Sequence, residues 1–286
     1  MPTVTDRLGH YPSDLSDQQW QSIKHLVPPA RGGGRSRTTD IRRVIEGVLY
    51  LVSSGCAWRY LPADFPPWQT VYHYFRYWCV TGTWRQIHNA IRDAARVAVG
   101  RDKLTTYLII DSQSVKAHYG ESRGLDGFKR VRGRKRQILV DTQGLIHSVY
   151  IHAANLSDTK EGINVVDKLS SDQLSKVSVV HADLGYRGSF EEQYYFRKNQ
   201  MPLINRKDEY TGQGKKKTVA EKLERKSQRH QAPKEPKRWI VERTFAWFII
   251  YRRLSRDYEK LVSHSENMIY LAMTQLMLRR LYHEYH

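Results

Sequence analysis

From residue 104 onward the chain lays out an ordered series of apolar runs, and that order narrows the fold more than any other feature. "LTTYLIID" is a short β-branched run ending on Asp111. "RQILVDTQGLIHSVYIHA" reads as two strands joined at Thr142-Gln143-Gly144, with a glycine available for the tight turn. "DTKEGINVVDKLS" has helical spacing, "KVSVVHADLGYRG" is a strand ending on Asp183, and "SFEEQYYFRKNQ" is again helical, ahead of a short apolar piece around "MPLIN". Strand, hairpin, helix, strand, helix predicts an α/β fold with a mixed sheet covered on both faces.

The first hundred residues follow a different period. Ser16 and Gln19 form a capping-box pattern, and Trp20, Ile23 and Val27 share a face before "PP" stops the helix. Ile41, Val44, Ile45, Val48, Leu49 and Val52 follow the three-four spacing of a packed helix, with Gly55 as its terminator. Two further tracts contain Val71, Tyr72, Phe75, Trp78 and Cys79, then Ile87 and Ile91. Residues 1–100 are therefore expected to be a small all-helical domain, whose size and makeup suit a helix-turn-helix-like DNA-binding unit or any small helical bundle, and 101–286 the α/β domain. "RGGGRSR" at 31–37 is a basic joint that suits a phosphate backbone or a plain solvated loop. A polar, lysine-rich stretch at about 205–237 reads as an insertion, and an amphipathic helix with Met268, Leu271, Ala272 and Leu278 closes the chain.

Charge selects the partner. Lys and Arg total 47 against 29 acidic residues, a formal net charge of +18, which favours a polyanion. The basic residues fall in several clusters rather than one membrane anchor, so double-stranded DNA is expected over an anionic bilayer. No apolar run is long enough to cross a membrane and no leader pattern opens the chain, so a cytoplasmic location is expected. Cys56 and Cys79 form no CxxC motif and read as small hydrophobes; His73 and His88 give no zinc spacing. Without a GxxxxGK[ST] loop, ATP hydrolysis has no support.

Three carboxylates carry the candidate chemistry. Asp111 and Asp183 each end a strand-like run, where ligands of open α/β sheets gather, although either could simply cap a turn. Glu242 stands in "WIVERTFAWFII", a helix expected to be embedded on most of its circumference. A carboxylate facing into such surroundings must be paired, for which Arg238 is available, or bind metal. Together the three suit Mg²⁺, with Mn²⁺ as the alternative. Two ions about 3.5 to 4 Å apart would clamp a scissile phosphate. The cations expected to hold DNA are Lys116, then Lys129, Arg130, Arg132, Arg134, Lys135 and Arg136 of "FKRVRGRKR", then Arg238, Arg252, Arg253 and Arg256. His181 shares strand parity with Asp183 and reads as incidental, and Trp58, Trp68, Trp78 and Trp84 read as core of the helical region.

At these residues the chain resembles DDE transposases of bacterial insertion sequences. "IIDSQSVKAH", "HADLGYRG" and "RWIVERTFAWFIIYRRLSRDYE" carry the likeness, and "LSDQQWQSIKHLVPP" and "SGCAWRYLPADFPPWQTVYHYFRYW" extend it over almost the whole chain. The resemblance implies an RNase H-like core with Asp111, Asp183 and Glu242 as a metal-binding triad. It also implies an insertion that contacts DNA, front helices that recognise terminal inverted repeats, and a homo-oligomer that holds two ends. The implied chemistry is hydrolytic nicking followed by attack of a 3′-hydroxyl on target DNA. A nuclease that stops after hydrolysis and a non-catalytic DNA-binding remnant are the alternatives. Many relatives place Tyr and Arg before the Glu and Lys after it. Here Arg238 matches the arginine, Glu235 and Ile249 stand at the other two positions, and Arg253, one turn beyond Ile249, is expected to take over the phosphate contact.

Overall fold

The structure, a computed structural model, describes residues 11–30, 37–204 and 239–282. Residues 1–10, the basic joint at 31–36, the 205–237 insertion with Glu235, and Arg238 lie outside these.

In the front region local signals decide the helix ends. α1 (Asp17–Ile23) begins at the Ser16–Gln19 capping box and is shorter than its apolar spacing suggests, because Lys24–Leu26 tighten into a 3₁₀ turn. α2 (Ile41–Ser54) starts where the Asp40 carboxylate accepts from the Arg42 and Arg43 backbone N–H groups. It stops at Gly55, φ +73°, where a Cβ would lie 2.8 Å from the Cβ of Arg252. All six of its expected core residues are buried. α3 (Trp68–Val80) and α4 (Thr83–Ala98) follow, their faces joined by the edge-on contact of Trp78 and Trp84 at 4.9 Å.

The sheet contains β1 (Tyr107–Lys116), β2 (Gly124–Asp126), β3 (Val131–Val140), β4 (Ile146–Ala153), β5 (Val179–Ala182) and β6 (Leu203–Ile204). β3 pairs antiparallel with β1, and successive stretches of it pair with β2 and β4. β5 runs parallel to β1, and β6 parallel to β5. The hairpin falls where its sequence placed it, with Gly144 at φ +79°. Two strand limits differ from expectation. β1 continues past Asp111 to Lys116, and β3 begins at Val131, so most of the basic run is strand rather than loop. The polar residues Ser112 to Ser114 carry no apolar alternation, but their backbone pairs with Lys135 to Gln137 of β3. Side-chain pattern reports burial, and hydrogen-bonded pairing can outrun it.

The remaining helices are α5 (Asp158–Val166), α6 (Ser171–Lys176), α7 (Ser189–Lys198), α8 (Trp239–Ile250) and α9 (Val262–Leu281). Strand alternation divides the core. Leu108 and Ile110 of β1 join Leu139, Val180, Ala182, Ile163, Phe190 and Tyr194 on the face covered by α5 and α7. Ile109 joins the larger core on the other face, shared by α2, α3, α4, α8 and α9. That core is continuous across residue 100, where the sequence alone suggested a domain boundary. α9 is consequently not amphipathic: Met268 to Leu278 are all buried, because α4, α2, α3 and β4 pack around it.

Candidate active site

Asp111 sits in the middle of β1 rather than at its end. Ile109 pairs with His181 of β5 in parallel register, and two residues further along the same face come Asp111 and Asp183. Asp111 is thus within β1 and Asp183 just past the end of the neighbouring strand β5. Each is oriented locally. An Asp111 oxygen accepts from the Ser112 N–H at 2.7 Å, and an Asp183 oxygen accepts from the Gly185 N–H at 2.8 Å. Asp183 thus does cap the 3₁₀ turn Leu184–Tyr186, and capping fixes its direction at the strand end. His181 itself is wholly buried.

Glu242 lies in the first described turn of α8, which packs against β1. Its side chain is exposed, contrary to the embedded setting expected from sequence. Counting apolar letters misjudged the helix: Ile240, Val241, Thr244, Phe245 and Phe248 form one buried face, while Trp239, Ile249 and Ile250 are 49%, 73% and 60% exposed. An exposed carboxylate carries no burial cost, so neither metal nor Arg238 is required on that ground. Among the described residues no three His, Cys, Asp or Glu side chains are gathered closely enough to hold a metal ion. By donor type the Asp111 and Asp183 carboxylates suit a hard divalent cation, which takes oxygen ligands.

Two further residues belong to this neighbourhood. Burial, together with the negative charges of Asp158, Asp111 and Asp183, holds the Tyr186 phenol well above its usual range. All three carboxylates therefore bear on one buried hydroxyl, which faces Ser112 without a well-aligned hydrogen bond to any protein group. Asp158 opens α5 and reaches Lys135 Nζ at 3.3 Å and Gln137 Nε2 at 3.4 Å. The one signal available beforehand was the position of Tyr186, three residues after Asp183 in "DLGYRG". Nothing in the sequence marked Asp158, because its approach depends on how α5 folds back over β3.

Residues 102–277, more than half of the chain, match the family model described as "Transposase DDE domain". The chain belongs to the DDE transposase family. Residues 15–88 match a second model, "Putative transposase of IS4/5 family". The uncharacterized protein y4sN of Sinorhizobium fredii (strain NBRC 101917 / NGR234) is 28% identical over 119 residues, 42% of this chain and 86% of that protein. The insertion element IS402 uncharacterized 16.2 kDa protein of Burkholderia cepacia is 27% identical over 110 residues, 36% of this chain and 73% of that protein. No solved structure matches. The mixed sheet behind a helical front agrees with the RNase H-like fold of DDE transposases, a family that uses divalent metal ions.

The cations of this DDE transposase divide sharply. Lys116, Lys129, Arg130, Arg132, Arg252 and Arg256 are exposed. Lys116 lies about 16 Å along β1 from Asp111, at the end where Arg132 borders it in β3. Arg134, Lys135, Arg136 and Arg253 instead turn inward. Arg134 is 0% exposed, pairs with Asp257 at 3.1 Å, and donates to the Glu121, Glu259 and Lys260 carbonyls. Arg136 donates to the Leu254 carbonyl at 2.7 Å, and Lys135 is held by Asp158. Arg253 pairs with Glu259 at 2.7 Å and donates to the Cys56 carbonyl. It cannot replace a phosphate-binding lysine, because α8 ends at Ile250 and the following turn aims it inward. Arg238 lies outside the described residues. Trp78 and Trp84 are core as expected, and Trp58 packs against that core, while it and Trp68 also line an open cleft of about 520 Å³ with Arg59, Tyr60 and Tyr72. No described helix is long and apolar enough to cross a membrane.

Proposed function

We propose that the protein binds the terminal inverted repeats of an insertion sequence and catalyses metal-dependent strand cleavage followed by 3′-hydroxyl strand transfer. What supports this reading is the parallel register that pairs Ile109 with His181, two residues before Asp111 and Asp183 respectively, within the stretch matched as a DDE domain. Glu242, on a helix packed against β1, is the third carboxylate. Asp111 and Asp183 would hold Mg²⁺ or Mn²⁺, Glu242 completing the set when DNA is engaged. Bound there, two such ions supply charge stabilisation and an acidified water or 3′-hydroxyl.

The chain's own residues supply position. Tyr186 keeps its proton at neutral pH and is a neutral donor beside the aspartates. Lys116, Lys129, Arg130, Arg132, Arg252 and Arg256 hold phosphates without reading bases. No side chain acts as nucleophile. Two element ends call for a homo-oligomer, and a cytoplasmic chain would meet them on the chromosome.

Purified protein incubated with labelled terminal-repeat duplex, target plasmid and Mg²⁺ tests the proposal. Parent protein is expected to yield cut ends and joined product. Asp111→Asn, Asp183→Asn and Glu242→Gln should each bind the duplex with parental affinity and cut at least about a thousandfold more slowly, the scale of losing a main electrostatic group. Cutting without joined product would assign a nuclease, and a Glu242→Gln variant as active as the parent would remove Glu242 from the triad.

A further inference from the structure

The turn between β3 and β4 is built more heavily than a hairpin connection requires. Asp141, its first residue, is wholly buried. One of its carboxylate oxygens accepts from the backbone N–H groups of Gln143 and Leu145, at 2.8 and 3.0 Å. The other accepts from the Arg96 guanidinium of α4 and faces His147 Nε2 at 3.4 Å. The turn is thus shaped from inside by a carboxylate, and that carboxylate is held by a cation from the helical front.

Its outward carbonyls are engaged as well. The Arg243 guanidinium donates to the Gln143 carbonyl at 2.8 Å, and Thr244 Oγ1 donates to the Gly144 carbonyl at 2.8 Å. Arg243 is further flanked by the Trp239 and Trp247 rings at 4.7 and 5.0 Å. A Cβ on Gly144 would lie 2.8 Å from Thr244 Oγ1, so turn and helix meet without slack. Arg243 and Thr244 are the two residues that follow Glu242 in α8. Apolar packing of Ile240, Phe245 and Phe248 sets the depth of α8 but resists rotation and sliding weakly. Two directional hydrogen bonds from adjacent residues fix both.

We infer that the β3–β4 turn positions Glu242: Arg96 sets Asp141, Asp141 shapes the turn, and the turn's carbonyls hold α8 through Arg243 and Thr244. This rests on the reading of Glu242 as a catalytic carboxylate. Arg96, Asp141 and Thr244 are positioning residues, and the helical front is joined to the third carboxylate by hydrogen bonds as well as by shared core. Spatial continuity alone does not establish coupling, so the test measures it.

Thr244→Val keeps shape and removes the donor. At saturating duplex it is expected to cut about tenfold more slowly with unchanged end-binding, and to need several-fold more Mg²⁺ for half-maximal rate; Thr244→Ser should restore both. Arg96→Lys should slow cutting likewise, and the Arg96→Lys/Thr244→Val double variant should lose no more than the worse single one. Glu242→Gln is run alongside. If it cuts like the parent, the triad reading fails. If it is inactive while Thr244→Val keeps the parental rate and Mg²⁺ dependence, the positioning inference alone is overturned. Losses that Thr244→Ser fails to restore, or that multiply in the double variant, also overturn it.

Discussion

Lys129, Arg130 and Arg132 share one basic run with Arg134, Lys135 and Arg136, yet the first three are exposed and the last three buried. The change comes at Gly133, where β3 passes from pairing with the short β2 to pairing with β4. A Cβ there would lie 2.0 Å from the Val115 carbonyl oxygen, so β1 and β3 approach as closely as only glycine allows. Beyond it β4 pairs with β3 from Arg134 onward, and the cations acquire protein partners on both faces. The lesson is that cationic letters record charge, while strand pairing decides whether that charge meets phosphate or a buried carboxylate.

Arg134 is the buried cation with the most partners to lose. Arg134→Met would leave Asp257 buried without its cation and strip donors from three carbonyls, at a cost of about 3 to 5 kcal/mol in urea unfolding. Unfolding free energy unchanged by that substitution would mean the buried half is not structural. Replacing Lys129, Arg130 and Arg132 together by Ala should alter stability by less than about 0.5 kcal/mol. The same triple variant should reduce the slope of log affinity against log salt by about 3, roughly one per lost phosphate contact. A parental salt slope would remove that face from the DNA surface.

A smaller effect extends the comparison to histidine. His88 and His147 are buried, and their folded-state pKa values are lowered, chiefly by burial, with Arg92 repelling a further charge on each. The folded state then binds fewer protons than the unfolded one. Their neutral forms contribute stability fully above the unfolded value of about 6.5, and it is lost as pH falls from there toward the folded values. Thermal unfolding should therefore occur at lower temperature at pH 5 than at pH 7, and His88→Asn should flatten that dependence.

Much of the fold was legible because it rests on local patterns. The Ser16 cap, the Gly55 stop, the hairpin at Gly144 and the alternation of Leu108, Ile109 and Ile110 each follow from backbone sterics or a period of two or 3.6 residues. The extension of β1 was not legible, since Ser112 to Ser114 are ordered by the backbone of β3. In the site, Asp111 and Asp183 announced themselves at the ends of apolar runs. Glu242 stands out in the sequence for an embedded setting that it does not have. Tyr186 and Asp158 went unseen because only folding brings their side chains toward the aspartates.

By itself the sequence determined the succession of elements, the three acidic positions and the excess of positive charge, since each depends on neighbouring residues or on composition. Tertiary structure alone decided which cations are spent inside the protein, that Glu242 is exposed, and that a buried arginine of α4 reaches the turn beside α8. Those outcomes depend on strand register and helix packing, where residues a hundred positions apart supply each other's partners. No local pattern encodes such a pairing.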